Sequence, residues 1–214
     1  LRFIIAYKKD IKQKELFDIM NKDYFFISKP RCASTHLYEG LTGWDDRVNG
    51  GKPYYHLPAS DVQHIFKDQY DSSFSFSVIR NPYDLVLSWY NEHRKQRYER
   101  DTQGIYNLPI DKWISRGCPT HWKNLPFNPL HQHRWLYNND QLLVSYLIRI
   151  EDYDNGIQYV YDKIKPYLKS DITVESISQT RKNEAPNMIE LTEEQKDKLY
   201  ELFKKDFELF GYSK

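Results

Sequence analysis

The stretch that most constrains this chain runs from Ser73 to Tyr90, SFSFSVIRNPYDLVLSWY, where a hydrophobic period of two gives way to a helical one across a few residues. Ser73 to Ile79 alternates in the manner of a strand, and Val86, Trp89 and Tyr90 recur at helical spacing beyond Pro82. Proline suits the first helical position, because the amide it lacks would have no helical acceptor there. Two further places show the same change of period. Tyr24 to Ser28 (YFFIS) reads as a buried strand, followed by the loop Lys29-Pro30-Arg31-Cys32-Ala33-Ser34 and a helical start at Thr35-His36-Leu37-Tyr38. Leu142 to Ile150 (LLVSYLIRI) reads as a strand, with a helix from about Asn155 to Leu168 after it. Thr192 and Gln195 have capping-box spacing, and Leu199, Phe203, Phe207 and Phe210 then form a helical stripe that Gly211 stops. That last helix is expected to pack on the sheet. Strands alternating with helices imply an α/β fold, a mostly parallel sheet with helices on both faces and ligands beyond the carboxyl ends of its strands.

A chain of 214 residues, 40% hydrophobic and 16% aromatic, can bury one sizeable core, so a single domain over residues 1–214 is expected. With 31 Lys and Arg against 30 Asp and Glu, it has no overall field to draw in nucleic acid or an anionic membrane. No apolar run approaches the roughly 18 residues of a membrane span, and LRFIIAYKKD does not read as a secretory signal. A soluble chain follows as the expectation. The two cysteines, Cys32 and Cys118, exclude a disulfide framework and lack zinc-site spacing. His131 and His133 are the closest histidine pair and have no third ligand nearby in sequence, so they read as surface residues and no metal is expected.

The chemistry lies at the two strand exits. A helix N-terminus offers unpaired amides and partial positive charge, so a loop carrying Lys29, Arg31, Ser34 and Thr35 into a helix suits an anion. It lacks the G-x-x-x-x-G-K-[ST] pattern of ordinary nucleotide hydrolases. At the second exit Arg80 precedes the helix and Ser88 lies inside it, about 7.5 Å along the axis from a start near Tyr83. Arginine and hydroxyl together can grip one phosphate, and two grips imply a ligand with two separated phosphates. The competing readings are a helix-start ion pair of Arg80 with Asp84 and a packing role for Ser88.

These two segments resemble the sulfotransferases that use 3′-phosphoadenosine 5′-phosphosulfate (PAPS). The 5′-phosphosulfate loop of that superfamily, P-[KR]-x-G-[ST]-T, corresponds to Pro30-Arg31-Cys32-Ala33-Ser34-Thr35, and its 3′-phosphate motif to Val78–Tyr90, VIRNPYDLVLSWY. Arg31 stands for the more usual lysine and Ala33 for a glycine, which limits access to positive φ. Weaker likenesses follow in order: His56 before a short helix over Ser60 to Phe66, Gln132-His133-Arg134-Trp135-Leu136, Arg149-Ile150-Glu151, and Asp206 to Tyr212. Their order is similar to that of membrane-associated carbohydrate sulfotransferases, the heparan sulfate 2-O-sulfotransferase type in particular.

The resemblance implies a P-loop-like fold and sulfuryl transfer from PAPS to a hydroxyl, with 3′-phosphoadenosine 5′-phosphate (PAP) as product. Arg31, helped by Lys29, would neutralise the leaving phosphate. Cys32 and Ala33 are the variable positions of the loop, and Ser34 and Thr35 would hold the 5′-phosphate. His36 either contacts the nucleotide or lies on the surface. Arg80 and Ser88 would take the 3′-phosphate, and the Thr180-Arg181-Lys182-Asn183 loop would close over the donor. His56 is the expected general base, since a histidine within reach of the acceptor hydroxyl takes its proton near neutral pH. A carbohydrate acceptor is expected, with Trp44, Tyr54, Tyr55, Trp122 and Trp135 as stacking candidates and the basic run His93 to Arg100 as an attractor of anionic glycan. A glycan-binding module without activity and a nucleotide-dependent kinase are the competing functions. A cytoplasmic location is expected, with the Golgi lumen as the alternative for an excised domain.

Overall fold

The computed structural model describes residues 23–42, 56–95, 104, 107–122, 125–178 and 189–214. The chain divides into two compact units, one from residues 1–79 and 134–184 and the other from 80–133 and 185–214.

In chain order the first unit contains β1 (Tyr24–Ile27), α1 (Ser34–Thr42), α2 (Ala59–Phe66), α3 (Asp68–Ser72) and β2 (Phe74–Ile79). Two helices of the second unit follow, α4 (Pro82–Lys95) and α5 (Ile110–Ser115). The chain then passes through the short α6 (His133–Leu136) and returns to the first unit with β3 (Tyr137–Asn138), β4 (Gln141–Leu142), β5 (Tyr146–Arg149), α7 (Tyr153–Ile164) and α8 (Val174–Ser178). The long α9 (Glu193–Phe210) completes the second unit.

The expected α/β architecture is present. β1, β2 and β5 form a parallel sheet with β2 in the centre, in the register Phe26↔Phe76 and Phe76↔Tyr146. Because side chains alternate across a strand, this register puts Phe26, Phe76, Tyr146 and Ile148 on one face. There Tyr146 meets Tyr159 of α7 with ring centroids 4.3 Å apart, and α7 lies so close that a Cβ at Gly156 would stand 2.6 Å from Ile148 Cγ2. Phe25 points to the other face, against Phe66 of α2 and Tyr70 of α3 at 5.4 and 5.0 Å. Helices therefore cover both faces.

The run from Leu142 to Ile150 does not form the single strand expected of it. Asn138 pairs with Gln141 around the two-residue turn Asn139-Asp140, and Asn139 takes the left-handed conformation, φ 54°, that such hairpin turns need. Leu142 therefore belongs to the hairpin, and β5 begins only at Tyr146. Tyr70 Oη donates to the Leu143 carbonyl at 2.9 Å and Ser145 N to the Ser75 carbonyl at 2.8 Å, so side-chain and loop bonds fix the residues between. α7 also starts earlier and ends earlier than expected, passing into a 3₁₀ turn over Lys165–Tyr167 where Pro166 lacks the amide an α-helix requires.

In the second unit α9 opens with the expected capping box, Gln195 N donating to Thr192 Oγ1 at 3.2 Å and Thr192 N to Gln195 Oε1 at 2.9 Å. It closes at Gly211, φ 63°. The stripe Leu199, Phe203, Phe207 and Phe210 is buried as read. Its principal partners are α4 and α5 of the same unit, where the sequence suggested the sheet. The Tyr83 and Phe207 rings meet tilted, with centroids 4.9 Å apart, and Gln195 Nε2 donates to Asp111 Oδ1 at 2.6 Å.

Candidate functional site

β1 and β2 run in the same direction side by side, so both end at one edge of the sheet. Ser28 and the first loop follow one end, and Arg80 follows the other directly in the chain.

The loop from Lys29 to Ala33 turns sharply into α1. Arg31 and Ala33 both take the left-handed conformation, at φ 63° and 53°. Ala33 does so although it has the side chain expected to restrict it, at about 1–2 kcal/mol for an L residue. Its carbonyl accepts the first helical bond, from Leu37 N at 3.0 Å. The Ser34 hydroxyl donates to the Lys29 carbonyl and closes the loop on itself. That proton is committed within the loop, and Thr35 beside it is half-buried. No acidic side chain stands in the first turn of α1, which leaves its positive end available for an anion. Lys29 is buried, with Nζ 3.5 Å from Cys32 Sγ. Cys32 is buried too, and His36 is half-buried on α1.

His56 joins this cluster. Its Nδ1 lies 3.1 Å from the Ser28 carbonyl oxygen and 3.1 Å from Ser28 Oγ. A carbonyl only accepts, so the tautomer that bonds to it carries the proton on Nδ1 and has Nε2 as its basic nitrogen. Trp135 meets the ring edge-on at 6.3 Å. Ser28, which the sequence marked only as the end of a strand, thus holds the ring of the expected base. Trp135 itself is 1% exposed and serves the core, which removes it from the expected sugar-stacking set.

Arg80 and Ser88 belong to the second unit. Asn81 caps α4, its Oδ1 accepting from Tyr83 N at 2.9 Å and its carbonyl from Leu85 N at 2.9 Å, and Pro82 fills the first helical position as read. Arg80 donates its amide to Gln132 Oε1 at 3.0 Å and accepts from Gln132 Nε2 at 2.7 Å. The Arg80 Nε is buried with no acceptor among the described residues. An unpaired buried donor costs about 1–3 kcal/mol and more when charged, so this atom fits a bound anion. Ser88 is buried on α4.

Gln132 is held in turn by Asp206 of α9, which is fully buried. Asp206 Oδ2 accepts from Gln132 N at 2.8 Å, and Oδ1 from His133 N at 2.8 Å and the His133 ring Nδ1 at 2.6 Å. His131 packs on Phe203 at 4.9 Å. The expectation of a surface pair is corrected here: both histidines are half-buried, and donor atoms of His131, His133 and Asp206 lie within 4.8 Å of one another. The carboxylate that joins them comes from a helix over 70 residues away, invisible to a search by spacing. Both of its oxygens already accept N–H donors, which makes the group a hydrogen-bonded lock.

Elsewhere in the second unit Trp122 packs edge-on against Trp89 at 5.9 Å beside His121, whose pKa burial pushes below the usual histidine value. Arg94, of the basic run, folds back on Tyr90, with Nη1 3.3 Å from the phenol oxygen. Burial raises the Cys118 thiol far above its ordinary range, so it is inert as a nucleophile. Arg181, Lys182, Trp44, Tyr54, Tyr55, Arg97 and Arg100 lie outside the described residues.

Residues 54–213 match the sulfotransferase family. The chain belongs to the sulfotransferase family. The match begins just before His56 and takes in Arg80, Ser88, Gln132 and Asp206, whereas the Lys29–Thr35 loop lies ahead of it. No curated protein and no solved structure matches the chain. Sulfotransfer is the activity of that family, and no helix among the described residues of this member is long and apolar enough to cross a membrane.

Proposed function

We propose that this chain moves the sulfuryl group of PAPS to a hydroxyl of a carbohydrate, with PAP as the product and His56 as general base. The observation that carries the reading is Arg80: a guanidinium at a strand exit, its backbone clamped on both sides and its Nε buried without an acceptor. PAPS, when bound, supplies the activated sulfuryl group and a phosphate leaving group. The residues have then to hold two phosphates, neutralise growing charge on one of them, and take a proton from the acceptor.

Arg80 and Ser88 hold the 3′-phosphate. Thr35 and the first-turn amides of α1 hold the 5′-phosphate, with Ser34 keeping the loop in shape. Arg31 reaches the leaving oxygens with a bidentate fork, and Lys29 adds the compact ammonium that an arginine cannot supply. His56 receives the acceptor proton on Nε2, the nitrogen left basic in the tautomer that bonds to the Ser28 carbonyl. The motif order shared with carbohydrate sulfotransferases supports a sugar hydroxyl as acceptor, and Trp122 is a stacking platform for it.

The experiment is a calorimetric titration of PAP against the wild type and Arg80→Ala. Loss of a charge-assisted contact of about 1.5–3 kcal/mol predicts affinity weaker by about 10-fold to 150-fold. Equal affinity would remove Arg80 from the site and the reading with it.

A further inference from the structure

We infer that Gln132 and Asp206 are positioning residues for the 3′-phosphate grip, setting the place of the Arg80 guanidinium without touching the ligand. The inference rests on the proposed function and goes beyond it by assigning the selectivity for a 3′-phosphate to a relay that starts on α9.

Arg80 sits between two regular elements, after the last residue of β2 and before the cap of α4. Neither the strand ladder nor the helix takes up its amide and carbonyl, and buried backbone groups need partners. The side-chain amide of Gln132 provides both, an acceptor at 3.0 Å and a donor at 2.7 Å. Two antiparallel bonds from one planar group fix the peptide planes on either side of the Arg80 Cα, and so the direction in which its side chain leaves the backbone. Glutamine is one of the few side chains that carries donor and acceptor on a single rigid plane at this reach.

Gln132 is itself 1% exposed and immobilised at its own backbone. Asp206 accepts the consecutive amides of Gln132 and His133 on separate oxygens, both at 2.8 Å, and the His133 ring at 2.6 Å. Three N–H donors compensate the desolvation of a fully buried carboxylate, which would otherwise not be tolerated there. All four residues belong to one unit, so the relay from α9 to Arg80 is built within a single packed body. It serves an arginine whose Nε is left to an anion. A tight clamp on the backbone and an open donor on the side chain are what a preorganised charge requires.

The test is to measure, by calorimetry, binding of PAP and of adenosine 5′-phosphate, which lacks the 3′-phosphate, to the wild type, Gln132→Met and Asp206→Asn. Methionine fills the glutamine volume without either hydrogen bond. The expected result is PAP affinity weaker by about tenfold, the factor for about 1.4 kcal/mol of lost positioning, with adenosine 5′-phosphate unchanged. A role confined to stability would lower the melting temperature while weakening both ligands alike or neither, and either pattern overturns the inference. Should Gln132→Met fail to fold, Gln132→Glu retains the acceptor for the Arg80 amide and loses the donor to its carbonyl, and is read by the same ratio. A wild type that binds PAP no better than adenosine 5′-phosphate defeats the proposed function itself. A wild type that discriminates, with variants that discriminate equally, defeats only the relay.

Discussion

Replacing Ala33 by glycine should stabilise this protein, against the usual direction of that substitution. Ala33 holds φ at 53°, in the left-handed region that costs an L residue about 1–2 kcal/mol through the clash of its Cβ with the following carbonyl. Glycine removes that clash. It also adds freedom to the unfolded chain, at about 0.4–1 kcal/mol. The difference leaves a net gain of up to about 1.6 kcal/mol, which for a chain of 214 residues moves the thermal midpoint upward by up to about 6 °C. Differential scanning fluorimetry or calorimetry on matched samples resolves a shift of that size. Arg31, at φ 63°, provides an internal control. Arg31→Gly should raise the midpoint similarly while transfer falls, separating the strain of the loop from its charge. A midpoint that falls in Ala33→Gly would refute the left-handed turn, and with it the account of how the loop enters α1.

His56→Ala should bind PAP as the wild type does and transfer sulfate about 10²–10⁴ times more slowly, the contribution typical of a positioned base; unchanged turnover in a labelled-donor assay would exclude it. Gly40→Ala should destabilise by about 1–3 kcal/mol in denaturant titration, because its Cβ would stand 2.8 Å from the Ile177 Cα, and backbone of α8 has to move; helix propensity returns no more than about 1 kcal/mol of that. Stability should also fall as pH rises above about 10. Burial raises the Tyr24 and Tyr70 phenols from 10.0 to about 12, so between these values the unfolded chain binds fewer protons than the native one. Each contributes a loss of up to about 3 kcal/mol by pH 12, and Tyr24→Phe should flatten the alkaline limb of a urea-midpoint series.

Local signals were read correctly wherever short-range physics decides the outcome. The Thr192 and Gln195 spacing, the left-handed Gly211 and the Asn81-Pro82 helix start all depend on bonds within one turn of chain. β1, β2 and the helices after them follow from the abrupt change of hydrophobic period at each strand exit. The reading failed at Leu142 to Ile150, where an apolar run looks the same whether it forms one strand or is divided by a turn. What divided it was the Asn139 turn together with bonds from Tyr70 and Ser75, both distant in sequence.

At the proposed site, the charged candidates stood out in the sequence because a ligand with phosphates would demand cations at helix starts. The residues that hold those cations in place had no such signature. Ser28 reaches His56 across 28 positions, Gln132 reaches Arg80 across 52, and Asp206 reaches His133 across 73. Serine, glutamine and aspartate are ordinary surface residues in a one-dimensional reading, and only burial turns their hydrogen-bonding groups into fixed partners. Residue type therefore determined which chemistry the chain can perform, whereas folding, by removing water from these polar atoms, decided which of them must pair and so where the reactive groups stand.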